Sequence, residues 1–145
     1  MHHWNLPFRR LRPEEIGIKF IEKDFMTIGP DDKLRDLVKV VANSKRNIFP
    51  VIDAEQSLHG IITLDRIRDI MFKPDLYEKV KVTTLMFMPE TILTTEDSME
   101  EVAQKFHVTD KYNLPVLKEG KYIGFVSRAN VFSEYRKMLK HFSED

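Results

Sequence analysis

Along residues 25–71 the spacing of apolar positions changes several times, and each change predicts an element. Phe25 to Ile28 is a short apolar stretch, read as a strand. Leu34, Leu37, Val38 and Val41 follow the 3.6-residue period of a helix. Pro30-Asp31-Asp32 is placed at its start, where proline suits the first turn and aspartates suit the positive end of the dipole. Asn43 to Asn47 is a polar break. Ile48 to Ile52 reads as a strand, Asp53 to Ser57 as a turn, and Leu58 to Ile62 as the next strand. Leu64, Ile67, Ile70 and Met71 then mark a second helix, stopped before Pro74.

The same pattern returns 65 residues later. Thr27-Ile28 falls on Ile92-Leu93, and Leu34, Leu37, Val38 and Val41 fall on Met99, Val102, Ala103 and Phe106. Phe49-Pro50-Val51-Ile52 falls on Leu114-Pro115-Val116-Leu117. After a one-residue deletion, Gly60-Ile61-Ile62-Thr63 falls on Gly124-Phe125-Val126-Ser127. In this second half Thr91 to Leu93, Asn113 to Leu117 and Lys121 to Val126 read as strands, with a tight turn at Glu119-Gly120. A last helix carries Val131, Tyr135, Met138 and Leu139. The order is β-α-β-β-α, twice. It predicts an α+β (mixed α/β) fold of two small sheets, each covered by two helices. Two repeats are too few for a solenoid, so they are expected to pair.

Composition narrows the function. The 145 residues are 42% hydrophobic and 32% charged, a globular balance. Lys+Arg and Asp+Glu are both 23, so no net charge draws the chain to nucleic acid or acidic lipid. The absence of cysteine excludes disulfides, thiolate metal sites and a cysteine nucleophile. No apolar run is long enough to span a bilayer, so this stretch is expected to be soluble and not to insert in a membrane. Residues 1–15 mix Trp4, Pro7 and Pro13 with Arg9, Arg10 and Arg12 and read as an arm or linker. His2 and His3 lack further ligands for a metal. Ile16 to Phe20 reads as a short element docking on the core.

The repeated phrases resemble a known family. Thr27-Ile28-Gly29-Pro30-Asp31-Asp32-Lys33-Leu34, Phe49-Pro50-Val51-Ile52 and Gly60-Ile61-Ile62-Thr63, with Val82-Thr83-Thr84-Leu85-Met86 entering the second half, are similar to a CBS domain. The resemblance covers about residues 16 to 140. It implies two CBS domains, 16–80 and 81–145, packed as a pseudo-twofold pair, the Bateman module that commonly binds adenine nucleotides. Two further phrases, Ser44 to Val51 and Ile67 to Pro74, resemble the cytoplasmic tail of prokaryotic CLC-type chloride channels and transporters. An arm, a CBS pair and an early stop match a C-terminal piece of such a protein. That would make the transmembrane domain a partner and the location the cytoplasmic face of the membrane.

The resemblance also implies where a ligand sits. One cleft takes Met26, Thr27, Arg46 and Asn47 with Ser127, Arg128 and Asn130. Asn130 stands at the ribose position, Ser127 at a helix start facing the phosphates, and Arg46 or Arg128 meets a phosphate. The other takes Thr91, Ile92, Tyr112 and Asn113 with Thr63, Asp65 and Arg66. There the ribose position holds Arg66, and Asp65 is one residue early, about 100° away around a helix. This cleft is expected to be empty or to take another ligand. Against a ligand role, Ser127 and Thr63 are ordinary helix caps, with Asn130 and Arg66 as first-turn surface residues. Tyr112 serves either to stack on a base or to cover a sheet edge.

No metal cluster, nucleophile elbow or phosphate loop is present, His59 and His107 have no marked partners, and the chain is expected not to be an enzyme. Glu96-Asp97 and Glu100-Glu101 are assigned to a helix first turn. Met71, Met86, Met88, Met99 and Met138 are assigned to the core. Three functions remain: a regulatory module of a CLC-type protein, a free-standing cytosolic adenine-nucleotide sensor, or a ligand-free structural dimerisation module. No cofactor is required. AMP, ADP or ATP is the optional ligand, and a homodimer is expected.

Overall fold

The computed structural model describes residues 20–143, without the side chains of Met138 and Phe142. The N-terminal arm, His2, His3 and all of the 16–20 element but Phe20 lie outside the described residues. The chain divides into two compact units. One is Asp24–Glu90, the first-repeat unit. The other joins residues 20–23 to residues 91–143, the second-repeat unit.

In the first-repeat unit, helix α1 (Leu34–Asn43) precedes strands β1 (Ile48–Ile52) and β2 (Leu58–Thr63) and the one-turn helix α2 (Leu64–Ile67). β1 and β2 are antiparallel, with a bulge between Val51 and Ile52. Ile28 adds a parallel bridge to Val51, and Phe87 an antiparallel bridge to Ile61. In the second-repeat unit, strand β3 (Leu93–Thr94) leads to helix α3 (Met99–His107), strands β4 (Asn113–Lys118) and β5 (Lys121–Ser127), and helix α4 (Arg128–Ser143). Its sheet order is β3-β4-β5, with β3 parallel to β4. The β4–β5 bulge falls between Val116 and Leu117, at the same place in the repeat. Glu22 bridges antiparallel to Phe125, as Phe87 does to Ile61.

Local bonds repeat with the same period. The Asp32 carboxylate accepts from Gly29 N–H at 2.8 Å, and that of Asp97 from Thr94 N–H at 3.0 Å. Asp36 accepts from Lys33 N–H at 3.0 Å, and Glu101 from Ser98 N–H at 2.7 Å. Each unit has its own core. Leu34, Leu37, Phe49, Val51, Ile62 and Ile67 fill one, and Met99, Val102, Phe106, Leu114, Val116 and Val126 fill the other. Burying each such side chain stabilises its unit by about 1.5–3 kcal/mol. Phe20 belongs to the second core, delivered by the segment ahead of the first repeat.

Several expectations need correction. Pro30 and Asp31 form a turn ahead of α1 rather than its first turn, because the Asp32 carboxylate ties back to Gly29 and delays the helix to Leu34. Glu96 and Asp97 likewise precede α3, and only Glu100 and Glu101 occupy its first turn. The strand expected from Phe25 to Ile28 reduces to the single bridge at Ile28. The helix expected to run from Leu64 to Met71 is regular only to Ile67, and the chain continues in irregular turns to Pro74. α4 meets no proline and runs for 16 residues. Met88 is 48% exposed, because it lies past the Phe87 bridge on a segment that no longer faces the core.

The glycines of the repeated phrase have a steric cause. A Cβ on Gly60 would stand 3.1 Å from the Phe87 carbonyl oxygen. One on Gly124 would stand 2.6 Å from that of Glu22. In both units the bridging segment crosses where a side chain would be.

Candidate functional site

The second-repeat unit holds one constellation at the junction of β5 and α4. β5 ends at Ser127, whose hydroxyl oxygen accepts from the Asn130 N–H at 3.1 Å, the geometry of a helix cap. The helix start therefore presents backbone donors and the positive end of a 16-residue helix. The Asn130 side chain is exposed, and its amide nitrogen donates to the Glu22 carboxylate at 2.9 Å. Arg128 turns back to its own unit. Its guanidinium donates to the carbonyls of Lys111, at 3.0 Å, and Thr109, and lies 5.7 Å from the Phe106 ring centre. The Arg128 N–H bonds the Tyr112 carbonyl at 2.8 Å, which fixes where the helix begins. Tyr112 is 77% exposed. Thr91 and Ile92 are half-buried, and the Ile92 carbonyl accepts from Lys105 Nζ at 2.8 Å. Asn113 opens β4 opposite Ser127.

The first-repeat unit carries the rest of the residues named from the sequence. Met26 is 38% exposed, and Thr27 and Asn47 are exposed. Arg46 bonds the Asp24 carboxylate and stacks 4.2 Å from the Phe25 ring centre. That guanidinium holds the Asp24 carboxyl below its ordinary value. The Asn47 carbonyl accepts from Leu64 N–H at 2.9 Å, the counterpart of the Tyr112–Arg128 bond. Thr63 precedes α2 without a side-chain cap of the backbone. The Thr63 hydroxyl beside Asp65 holds that carboxyl below its ordinary value. Arg66 lies 5.6 Å from the Phe87 ring centre. The two junctions thus differ chemically: a capped long helix with an amide in its first turn, against an uncapped single turn with a guanidinium.

Each unit therefore gathers its own share of the residues named from the sequence. Sequence reasoning missed Glu22, Asp24 and Phe25, the partners of Asn130 and Arg46. A register signal existed, since Glu22 stands 65 residues before Phe87, in the segment that bridges to the Gly-h-h-[Ser/Thr] phrase. Among the described residues, no group of three His, Asp or Glu is placed to hold a metal ion. No helix among them is long and apolar enough to cross a membrane.

Comparison with known proteins follows the same division. The sequence model of the CBS domain matches residues 16–73 and 82–137. An inosine-5'-monophosphate dehydrogenase of Aquifex aeolicus is 32% identical over 136 residues, which are 86% of this chain but 26% of the enzyme. A CBS domain-containing protein of Dictyostelium discoideum is 31% identical over 133 residues, 84% of this chain and 92% of that protein. Among solved structures, a Bacillus anthracis CBS domain-containing protein aligns with a TM-score of 0.73 at 20% identity, over 90% of this chain and 96% of that one. The CBS domain of a bacterial CNNM/CorC family Mg2+ transporter, solved with ATP, aligns at 0.70 and 17% identity, over 91% and 92%. CBSX2, solved with AMP, aligns at 0.66 and 21% identity, over 86% and 97%.

Proposed function

We propose, from the premise that the chain belongs to the CBS domain family and carries two of its repeats, that it is a regulatory module that binds an adenine nucleotide and catalyses nothing itself. The observation that carries this reading is the junction at Ser127: a capped helix start with an exposed amide in its first turn. Its backbone donors suit a phosphate and the Asn130 carboxamide suits ribose hydroxyls. Arg46, Asn47, Met26 and Thr27 are the first-repeat residues assigned to the same ligand, and Arg128 shapes the junction. Two proteins of the same fold were solved with AMP and with ATP. The uncapped Thr63 junction, with Arg66 at the amide's position, is assigned no nucleotide.

The module acts by population shift: a ligand that binds two arrangements of the host unequally changes their balance. The host remains a choice between two readings. The CLC-type parent, with the module on the cytoplasmic face, rests on the phrases around Phe49 and Met71. A free-standing cytosolic sensor is favoured by the Dictyostelium relative, nearly all of whose length the chain spans. Hydrophobic helices encoded ahead of this stretch in its reading frame decide for the first, and their absence for the second. We assign the module a homodimeric state, which sedimentation at micromolar concentration checks; a monomer overturns it.

Thermal unfolding with AMP, ADP, ATP and the guanine counterparts tests the proposal. A ligand at about 100 times its dissociation constant adds about 2.7 kcal/mol, a rise of several degrees. The expected result is an adenine-selective rise that Asn130→Ala abolishes. No rise with any nucleotide overturns the proposal and leaves a structural dimerisation module.

A further inference from the structure

We infer that Glu22 is a positioning residue that turns the Asn130 carboxamide so that the site selects ribonucleotides over deoxyribonucleotides. The inference rests on the nucleotide reading above and adds the residue that orients its ribose contact.

A carboxamide has one accepting and one donating end, and its two flipped orientations occupy nearly the same space. Alone in the first turn of α4, Asn130 would offer a ligand either end. Glu22 removes that freedom. Its Oε2 lies 2.9 Å from Asn130 Nδ2, and a carboxylate accepts but does not donate, so the amide nitrogen faces it. The Asn130 Oδ1 is thereby turned away from Glu22, as an acceptor for a ribose hydroxyl. The Glu22 backbone, from which the carboxylate reaches out, is itself held in place by the sheet. Glu22 N–H donates to the Phe125 carbonyl at 2.7 Å, and the Phe125 N–H donates to the Glu22 carbonyl at 3.0 Å. Phe125 belongs to β5, which ends at the cap residue Ser127. Strand, cap and carboxylate form one connected frame around Asn130.

The first-repeat unit provides an internal comparison. Phe87 bridges Ile61 as Glu22 bridges Phe125, and Arg66 stands where Asn130 stands. There the bridging residue meets the first-turn residue as a ring under a guanidinium, 5.6 Å away. The contact between these two positions recurs, and only in the second-repeat unit does its chemistry orient an acceptor.

The test is calorimetric titration of the full chain and its variants with AMP, 2′-deoxy-AMP and 3′-deoxy-AMP. Wild type is expected to prefer AMP over the deoxy compound that lacks the bonded hydroxyl by roughly tenfold, about one hydrogen bond's worth. Glu22→Ala is expected to bring AMP, and the deoxy compound that keeps the bonded hydroxyl, down toward the compound that lacks it, whose own affinity stays within about twofold. Glu22→Gln is expected to keep the preference, because its amide oxygen still accepts from Asn130. Glu22→Met keeps the aliphatic stem and carries the same expectation as Glu22→Ala should the latter fail to fold. A Glu22 variant without an acceptor that keeps the full preference overturns the positioning role and leaves nucleotide binding standing. So does a wild type that binds all three compounds equally. A wild type that binds no adenine nucleotide overturns both readings.

Discussion

At the scale of single residues, the repeat is explained by close approaches rather than by side-chain identity. Gly124 is needed because the Glu22 backbone crosses within 2.6 Å of where a Cβ would sit. Gly120 is needed for a different reason: with Glu119 it forms a two-residue turn with φ of 83° and 51°, and nothing lies near its missing Cβ. Gly124→Ala is therefore expected to cost about 1–3 kcal/mol or more through overpacking added to the strain of its φ of 154°, and Gly120→Ala about 1–2 kcal/mol through backbone conformation alone. Urea denaturation of both variants ranks them, and equal costs would refute the crossing argument. Acid sensitivity also belongs here. Asp53 accepts from the N–H groups of Glu55 and Ser57, both at 2.9 Å, and its Oδ2 lies 2.8 Å from His59 Nε2. The His59 bond, then the backbone bonds, hold the Asp53 carboxyl below its ordinary value. A depressed carboxylate stabilises the fold above its unfolded pKa, and the contribution disappears as pH falls through the folded value. Asp53→Asn is expected to flatten the stability curve below about pH 4, read by chemical denaturation across pH.

At the scale of elements, the strands β1, β2, β4 and β5 were legible because their apolar runs are short and bounded by turn residues. β1, for instance, spans the predicted Ile48–Ile52. Helix starts were less legible. An aspartate before an apolar run reads as a dipole partner, yet Asp32 and Asp97 bond backward to Gly29 and Thr94 and so postpone the helix. The two helix starts then differ in a testable way. Ser98 caps α3 through a bond from Glu101 N–H to its hydroxyl at 3.1 Å, whereas Lys33 at the start of α1 has no such acceptor. Ser98→Ala is expected to cost about 1 kcal/mol and Lys33→Ala much less, measured by thermal or urea unfolding. α2 was misread because a 3.6 period alone does not reveal where a helix stops. The helix starts that carry the candidate residues were legible from the repeated phrase. Their partners were not, because Glu22 lies 108 residues from Asn130 and belongs to neither repeated phrase.

At the scale of the whole molecule, the repeats in sequence and the units in space are offset. The segment ahead of each repeat adds an edge to a sheet: 85–90 to that of the first repeat through Phe87, and 20–23 to that of the second through Glu22. Phe20 packs with Leu93, Met99 and Phe106 in the second core. Phe20→Ala is thus expected to destabilise the second-repeat unit by about 3–5 kcal/mol. Hydrogen exchange should show the loss in β4 and β5 amides. Loss confined to the amides of β1 and β2 would refute the assignment of Phe20.

That offset sets a schedule for the nascent chain. Residues 24–90 leave the ribosome as an uninterrupted unit and can close on themselves early. The edge at Glu22 is made first and used last, since Phe125 emerges about a hundred residues afterwards, roughly 5–20 s at ordinary rates of synthesis. Throughout that interval Phe20 and the Glu22 backbone have no sheet to join, and an unpaired edge is a template for the wrong neighbour. Slowing translation across 91–125 would lengthen that exposure, and the order of synthesis leaves the second-repeat unit, not the first, waiting for its far edge.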